Sequence, residues 1–218
     1  MFLEVKEVHK YYGNLHILRG IDLQIETPKD LAILGSSGSG KSTLLYLLGA
    51  LDKPDKGEIL IEGKDITKMN DTELSMFRNK FIGFVFQFHF LLPSMNCIDN
   101  ILLPAKIGGV KLKEVKKRSQ ILAEKLGVSH CLKKYPFEIS GGEQQRINIV
   151  RAISLNPNLL LCDEPTGNLD SKNTQNVLSL LRSVAEDIDS ALIIVTHDTN
   201  VSDTFQEKIT IEDGQIIR

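Results

Sequence analysis

The stretch Gly35-Ser36-Ser37-Gly38-Ser39-Gly40-Lys41-Ser42 packs three glycines, four serines and a lysine into eight residues. Glycines at this density let the backbone turn tightly and bring successive N–H groups close to a bound anion. The spacing G-x-x-x-x-G-K-S/T is that of a phosphate-binding loop. Lys41 supplies a mobile charge for outer phosphates. Ser42 offers a hydroxyl to Mg²⁺. The flanks agree: Leu31-Ala32-Ile33-Leu34 reads as a short buried strand, and Ser42-Thr43-Leu44-Leu45-Tyr46-Leu47-Leu48 as a helix. A phosphate on this loop meets a helix N-terminus, where the dipole and free N–H groups favour an anion. The bland alternative is a Gly/Ser-rich turn.

Upstream, residues 2–8 alternate Leu3, Val5 and Val8 with Glu4, Lys6 and Glu7, the pattern of a half-buried strand. Tyr11-Tyr12-Gly13-Asn14 reads as a turn, and residues 17–25 as a second strand. Downstream, a Pro/Gly/Asp loop at 52–57 leads to a strand at 58–63. Residues 71–79 suit a short helix. Residues 81–86 suit a buried strand that runs into the aromatic segment Gln87-Phe88-His89-Phe90-Leu91-Leu92-Pro93. Helices are expected at 96–106 and around the stripe Leu112, Val115, Leu122 and Leu126. Lys113, Lys116, Lys117 and Arg118 lie mostly on the other face, either simply solvated or placed for anionic lipid headgroups.

Residues 136–142 read as a loop and Glu143 as the start of a helix. Leu159-Leu160-Leu161-Cys162 and Ala191-Leu192-Ile193-Ile194-Val195 are apolar strands around a helix at 173–185. The tail reads as a hairpin across Glu212-Asp213-Gly214. Continuous apolar strands between helices imply an α/β fold with a parallel sheet covered on both faces. Antiparallel strands precede it, and a helical insertion is expected at about 88–156.

Two hundred and eighteen residues suit one domain, and a net charge of −2 raises no field that would draw nucleic acid. Cys97, Cys131 and Cys162 are scattered and odd in number, which argues against a disulfide framework or a zinc site and for a reducing compartment. The first residues carry acids and no apolar run of a signal peptide, and no stretch approaches the 18 apolar residues of a membrane span.

Asp163 and Glu164 follow an apolar strand, and ligands gather at the carboxyl ends of such strands. Asp163 can hold Mg²⁺ through its water shell. Glu164 can orient an attacking water or take its proton. The alternative is a strand end with two solvated acids. Ser140-Gly141-Gly142-Glu143-Gln144 opens a helix and is both a capping box and a second anion site, because capping and anion binding use the same N–H groups.

Together these stretches resemble the nucleotide-binding domain of an ATP-binding cassette (ABC) transporter, over essentially the whole chain. Ser140-Gly141-Gly142-Glu143-Gln144 is similar to the signature of that superfamily. The resemblance implies the ABC-type fold of phosphate-loop nucleotide hydrolases, binding ATP with Mg²⁺ and hydrolysing it. It implies that Gly35, Ser36, Ser37, Gly38, Ser39, Gly40, Lys41, Ser42 and Thr43 hold phosphate, that Tyr12 stacks on adenine, and that Gln87 senses Mg²⁺ and water. It further implies a role for Asn168-Leu169-Asp170 beside the nucleotide, with Asp170 in contact, and for His197 on the γ-phosphate. Metal ligation falls to Ser42, Gln87 and Asp163; catalysis to Glu164, His197 and Gln87. Taken singly, Tyr12 reads equally as a turn aromatic, Gln87 as a solvated loop residue and His197 as structural.

In this family Ser140, Gly141 and Gly142 complete the ATP site of a second copy, so the resemblance implies an ATP-sandwich homodimer. It also implies an integral membrane permease as partner, no nucleic acid, and a peripheral position on the cytoplasmic face of the inner membrane. Phe86-Gln87-Phe88-His89-Phe90-Leu91-Leu92-Pro93 and Pro165-Thr166-Gly167-Asn168-Leu169-Asp170 resemble the group of lipoprotein-releasing, macrolide-export and cell-division ATPases, the first of these most. Departures from the pattern are Pro28-Lys29, Cys162 and Ile98-Asp99-Asn100, none within the catalytic set.

Overall fold

The computed structural model describes residues 1–26, 30–88, 90–167 and 171–217. Pro28, Lys29, His89 and the expected Asn168-Leu169-Asp170 contact, including Asp170, lie outside the described residues. The strands are β1 (Leu3–Tyr12), β2 (Leu15–Ile25), β3 (Asp30–Leu34), β4 (Lys56–Ile61), β5 (Lys64–Asp65), β6 (Ile82–Val85), β7 (Leu159–Asp163), β8 (Ala191–Thr196), β9 (Glu207–Glu212) and β10 (Gln215–Ile217). The helices are α1 (Lys41–Leu48), α2 (Asp71–Phe81), α3 (Cys97–Ile107), α4 (Leu112–Lys125), α5 (Gly141–Ile153), α6 (Ser171–Asp187) and α7 (Thr199–Ser202).

Two sheets form. One is antiparallel, in the order β2-β1-β4-β5. The other runs β10-β9-β3-β8-β7-β6 and is parallel except for the terminal β9–β10 hairpin. Asp213 and Gly214 turn that hairpin with φ of 47° and 78°, the left-handed pair that matches the twist of the strands.

Every residue of β7 and β8 is buried, so successive side chains serve opposite faces. Leu159 and Leu161 join one core with Ile193, Val195, α1 and the antiparallel sheet. Leu160 and Cys162 join the other with Ile194, α5 and α6. The insertion between β6 and β7 carries α3, α4 and α5, and Ile147 and Val150 of α5 share the second core with the sheet.

Several boundaries differ from expectation. Tyr11 and Tyr12 end β1, and only Gly13-Asn14 turn. Phe81 closes α2 rather than opening β6, because its ring stacks on Phe77 one helical turn earlier. Helix α5 starts at Gly141, two residues before Glu143, because Ser140 caps it. Leu112 is exposed, so the stripe of α4 rests on Val115, Ala123 and Leu126. Lys113, Lys116 and Lys117 are exposed as expected.

Candidate active site

In a parallel sheet all strands deliver their carboxyl ends to one edge, where ligands bind. Here the register levels those ends. Val85 pairs with Cys162, Asp163 with Val195, and Thr196 with Leu34. Within a few residues of these pairs the chain places Gln87, Asp163-Glu164, His197 and the Gly35 loop. A cavity of about 580 Å³ follows, lined by Ser36, Ser37, Gly38, Lys41, Ser42, Gln87, Glu164 and His197. Residues separated by up to 161 positions in sequence are thus brought to one place.

The loop has the expected conformation. Gly35 has φ 154° with the Ile211 carbonyl against the position of a Cβ, and Gly40 has φ 105°; both geometries suit glycine. The N-cap of α1 is Gly40, which has no side chain to cap the helix, so the first N–H groups suit an anion. Lys41 Nζ donates to the Ser36 carbonyl at 2.8 Å, across the loop. Burial pushes the Lys41 ammonium down, while Glu164 and Asp163 oppose the shift. Ser39 is buried within the loop, and Thr43 follows in α1.

Asp163 is buried at the end of β7. Ser42 donates to its Oδ1 at 2.9 Å and Tyr46 donates to its Oδ2 at 2.9 Å. Burial and the facing carboxylate raise the Tyr46 hydroxyl to about 12, so it remains a donor. Tyr46 is absent from the set read in the sequence. The available signal is its spacing: four residues after Ser42, it shares that residue's helix face. Glu164 has φ 46°, a left-handed conformation that is uncommon outside glycine and concentrates at functional sites. Its Oε1 lies 2.8 Å from His197 Nδ1. The donors Ser42 Oγ and the Asp163 carboxylate, with Gln87 beside them, are hard oxygen groups, which fits Mg²⁺.

Ser140, Gly141 and Gly142 are exposed at the start of α5 and do not line this cavity. Ser140 caps α5, and Glu143 reaches back to the Ser140 N–H at 2.8 Å and to its hydroxyl at 2.7 Å. Those two hydrogen bonds, with His130 alongside, hold the Glu143 carboxyl down at about 2. The same helix reaches the catalytic edge from behind. Gln145 donates to the Pro165 carbonyl at 3.1 Å, next to Glu164, and Asn148 donates to the Phe86 carbonyl at 3.5 Å, next to Gln87. Tyr12 is 47% exposed, enough to offer a ring face. Its hydroxyl donates to Asp52 at 2.8 Å, and Lys10 Nζ lies 5.2 Å from its ring centre. Burial, then Asp52, raises that hydroxyl to about 12.

A phosphate loop, a strand-end carboxylate pair and a facing histidine on the carboxyl edge of a parallel sheet define a nucleotide-binding cassette. The family model described as ABC transporter matches residues 18–167, and the chain belongs to that family. It is 42% identical to the lipoprotein-releasing system ATP-binding protein LolD of Cytophaga hutchinsonii, over 99% of this chain and 98% of that one. It is 44% identical to the protein of the same name from Bdellovibrio bacteriovorus, over 96% and 97%. Among solved structures, the dimeric bacterial ABC transporter cassette MJ0796 superposes with a TM-score of 0.90 at 35% identity, covering 100% of this chain and 97% of that one. A post-hydrolysis dimer of the same cassette bound to ADP and Pi gives 0.89 at 34% identity, with the same coverage.

Proposed function

We propose that the chain binds and hydrolyses ATP as the energy-supplying subunit of a membrane ABC system that releases lipoproteins from the inner membrane. The observation that carries the chemistry is the convergence of Ser42, Lys41, Gln87, Glu164 and His197 on one cavity. The relatives' name carries the lipoprotein reading.

The loop N–H groups and Lys41 hold the β- and γ-phosphates, and Tyr12 packs on the base. Ser42, Asp163 and Gln87 are the residues that would hold Mg²⁺, which supplies charge neutralisation at the transferring phosphoryl group. Glu164 orients the attacking water and accepts its proton, and His197 holds Glu164 and the γ-phosphate in register. Ser140 to Gly142 of a second copy close the site from the other side with the free N–H groups of their helix. For Asp170, outside the described residues, the resemblance in sequence supports a contact with the nucleotide.

The partner is an integral membrane permease, and the chain works peripherally on the cytoplasmic face. Among the described residues no helix is long and apolar enough to cross a membrane. A second cavity, of about 500 Å³, opens between α2, α3, β6 and α5 beside Gln87 and is lined by Phe86, Phe90, Pro104, Ile107 and Arg151. Phe88, Phe90 and Ile107 are 64%, 61% and 72% exposed, a cost in water that an apolar helix of the permease removes. Leu92 is exposed too, whereas Leu91 packs into the second core. The α3–α5 region, about 88–156, acts as the helical lobe that carries this groove and the Ser140 loop together.

The test is purification from membranes followed by reconstitution. A permease with a large periplasmic domain should co-purify, and ATP should release a lipoprotein from the reconstituted vesicles. Release of no lipoprotein by an assembly whose ATPase is active refutes the lipoprotein assignment and favours a macrolide-type exporter or a cell-division regulator.

A further inference from the structure

We propose that His130, Cys131 and Glu143 form a zinc-binding site directly behind the Ser140 loop, separate from the Mg²⁺ position. The scattered, odd-numbered cysteines of the sequence argue against a zinc site, an expectation from which the proposed site departs. The fold instead assembles a mixed donor set. His130 and Cys131 lie in a 3₁₀ turn at Ser129–Cys131, and Glu143 is the third residue of α5.

His130 Nε2 and Glu143 Oε1 are 2.7 Å apart, and the Cys131 thiol donates to the same Oε1 at 3.4 Å. All three donor atoms lie within 4.8 Å of one another. A tetrahedral Zn²⁺ with bonds of about 2.0–2.3 Å holds its ligands about 3.3–3.8 Å apart, so only small side-chain adjustments are required. Imidazole, thiolate and carboxylate together are the donors of zinc and not of Mg²⁺ or Ca²⁺, which take oxygen. Cys131 is buried and lies at the inner wall, whereas the His130 side chain is 58% exposed and borders a surface cavity. An ion can therefore enter from solvent past His130, with water as its fourth ligand. Binding exchanges two hydrogen bonds on Oε1 for metal bonds: the thiol proton of Cys131 leaves to water, and the Nε2 proton of His130 is exchanged through solvent for one on Nδ1, so that Nε2 is free to ligate.

The position gives the site a consequence. Glu143 Oε2 holds the Ser140 backbone N–H and hydroxyl, so the carboxylate bridges the metal position and the Ser140 loop. A bound ion ties the 3₁₀ turn to the start of α5 and fixes the carboxylate from which Ser140 hangs.

The experiment titrates Zn²⁺ into the chelator-stripped full chain, free of nucleotide and Mg²⁺, in competition with a chromophoric chelator. Co²⁺ in place of Zn²⁺ reports thiolate ligation through its near-ultraviolet charge-transfer band. The expected result is one tight Zn²⁺ per chain and a thiolate band with Co²⁺. Affinity should fall by at least about tenfold in His130→Ala and in Cys131→Ser, since loss of even an outer-shell partner costs about 10- to 100-fold. His130 is exposed, so His130→Ala tests the site without disturbing the core. Absence of a tight ion, or an ion retained with wild-type affinity in His130→Ala, overturns the proposal.

Discussion

The Tyr46 hydroxyl and the Asp163 carboxylate are joined by a 2.9 Å hydrogen bond across 117 residues of sequence. It leaves Asp163 held at both oxygens, by Tyr46 on Oδ2 and by Ser42 on Oδ1. In the proposed site Tyr46 therefore orients the carboxylate that would hold Mg²⁺. A hydrogen bond to a charged group contributes about 1.5–3 kcal/mol. Tyr46→Phe should raise the Mg²⁺ concentration for half-maximal ATP turnover by about tenfold, which corresponds to about 1.4 kcal/mol. Metal-free nucleotide binding should stay at the wild-type level. An unchanged Mg²⁺ titration would remove Tyr46 from this role.

Ser140 caps α5 and is proposed to complete a partner's nucleotide site, and one substitution separates the two roles. As the cap of α5 it contributes about 1 kcal/mol to stability. Ser140→Ala should therefore lower the melting temperature by about 2–4 °C. As the proposed half of a partner's nucleotide site it would matter only in the dimer. The same variant should bind ATP normally as a monomer yet form less ATP-dependent dimer, read by size-exclusion chromatography with light scattering. Normal dimerisation would confine Ser140 to capping.

Gly83 fixes how closely β6 approaches the end of α5. A Cβ there would meet the Ala152 carbonyl at 2.6 Å and the Pro157 ring at 2.8 Å. Backbone cannot yield as a flexible side chain does. Gly83→Ala should cost about 1–3 kcal/mol of stability in a urea titration, the range for overpacking. Because β6 leads directly into Gln87, turnover should fall with it.

What the sequence makes legible is what local chemistry dictates. The loop at Gly35 to Ser42, the apolar β7 and β8 and the hairpin at Asp213-Gly214 each carry a pattern of their own. Resemblance supplies Gln87 and His197, which no local pattern marks. Contacts between distant residues stay hidden. Tyr46 on Asp163, Gln145 on Pro165 and His130 on Glu143 depend on how elements dock. Boundaries shift where a single side chain decides them. Ser140 moves the start of α5 forward by capping it, and Phe81 stays in α2 because it stacks on Phe77.

In the proposed mechanism Glu164 is the group that activates water for ATP hydrolysis. Steady-state ATP turnover of Glu164→Gln, with nucleotide binding measured on the same sample, tests it most directly. With Glu164 as the base, binding should stay at the wild-type level and turnover should drop by about 10²-fold or more. Wild-type turnover in that variant contradicts that role.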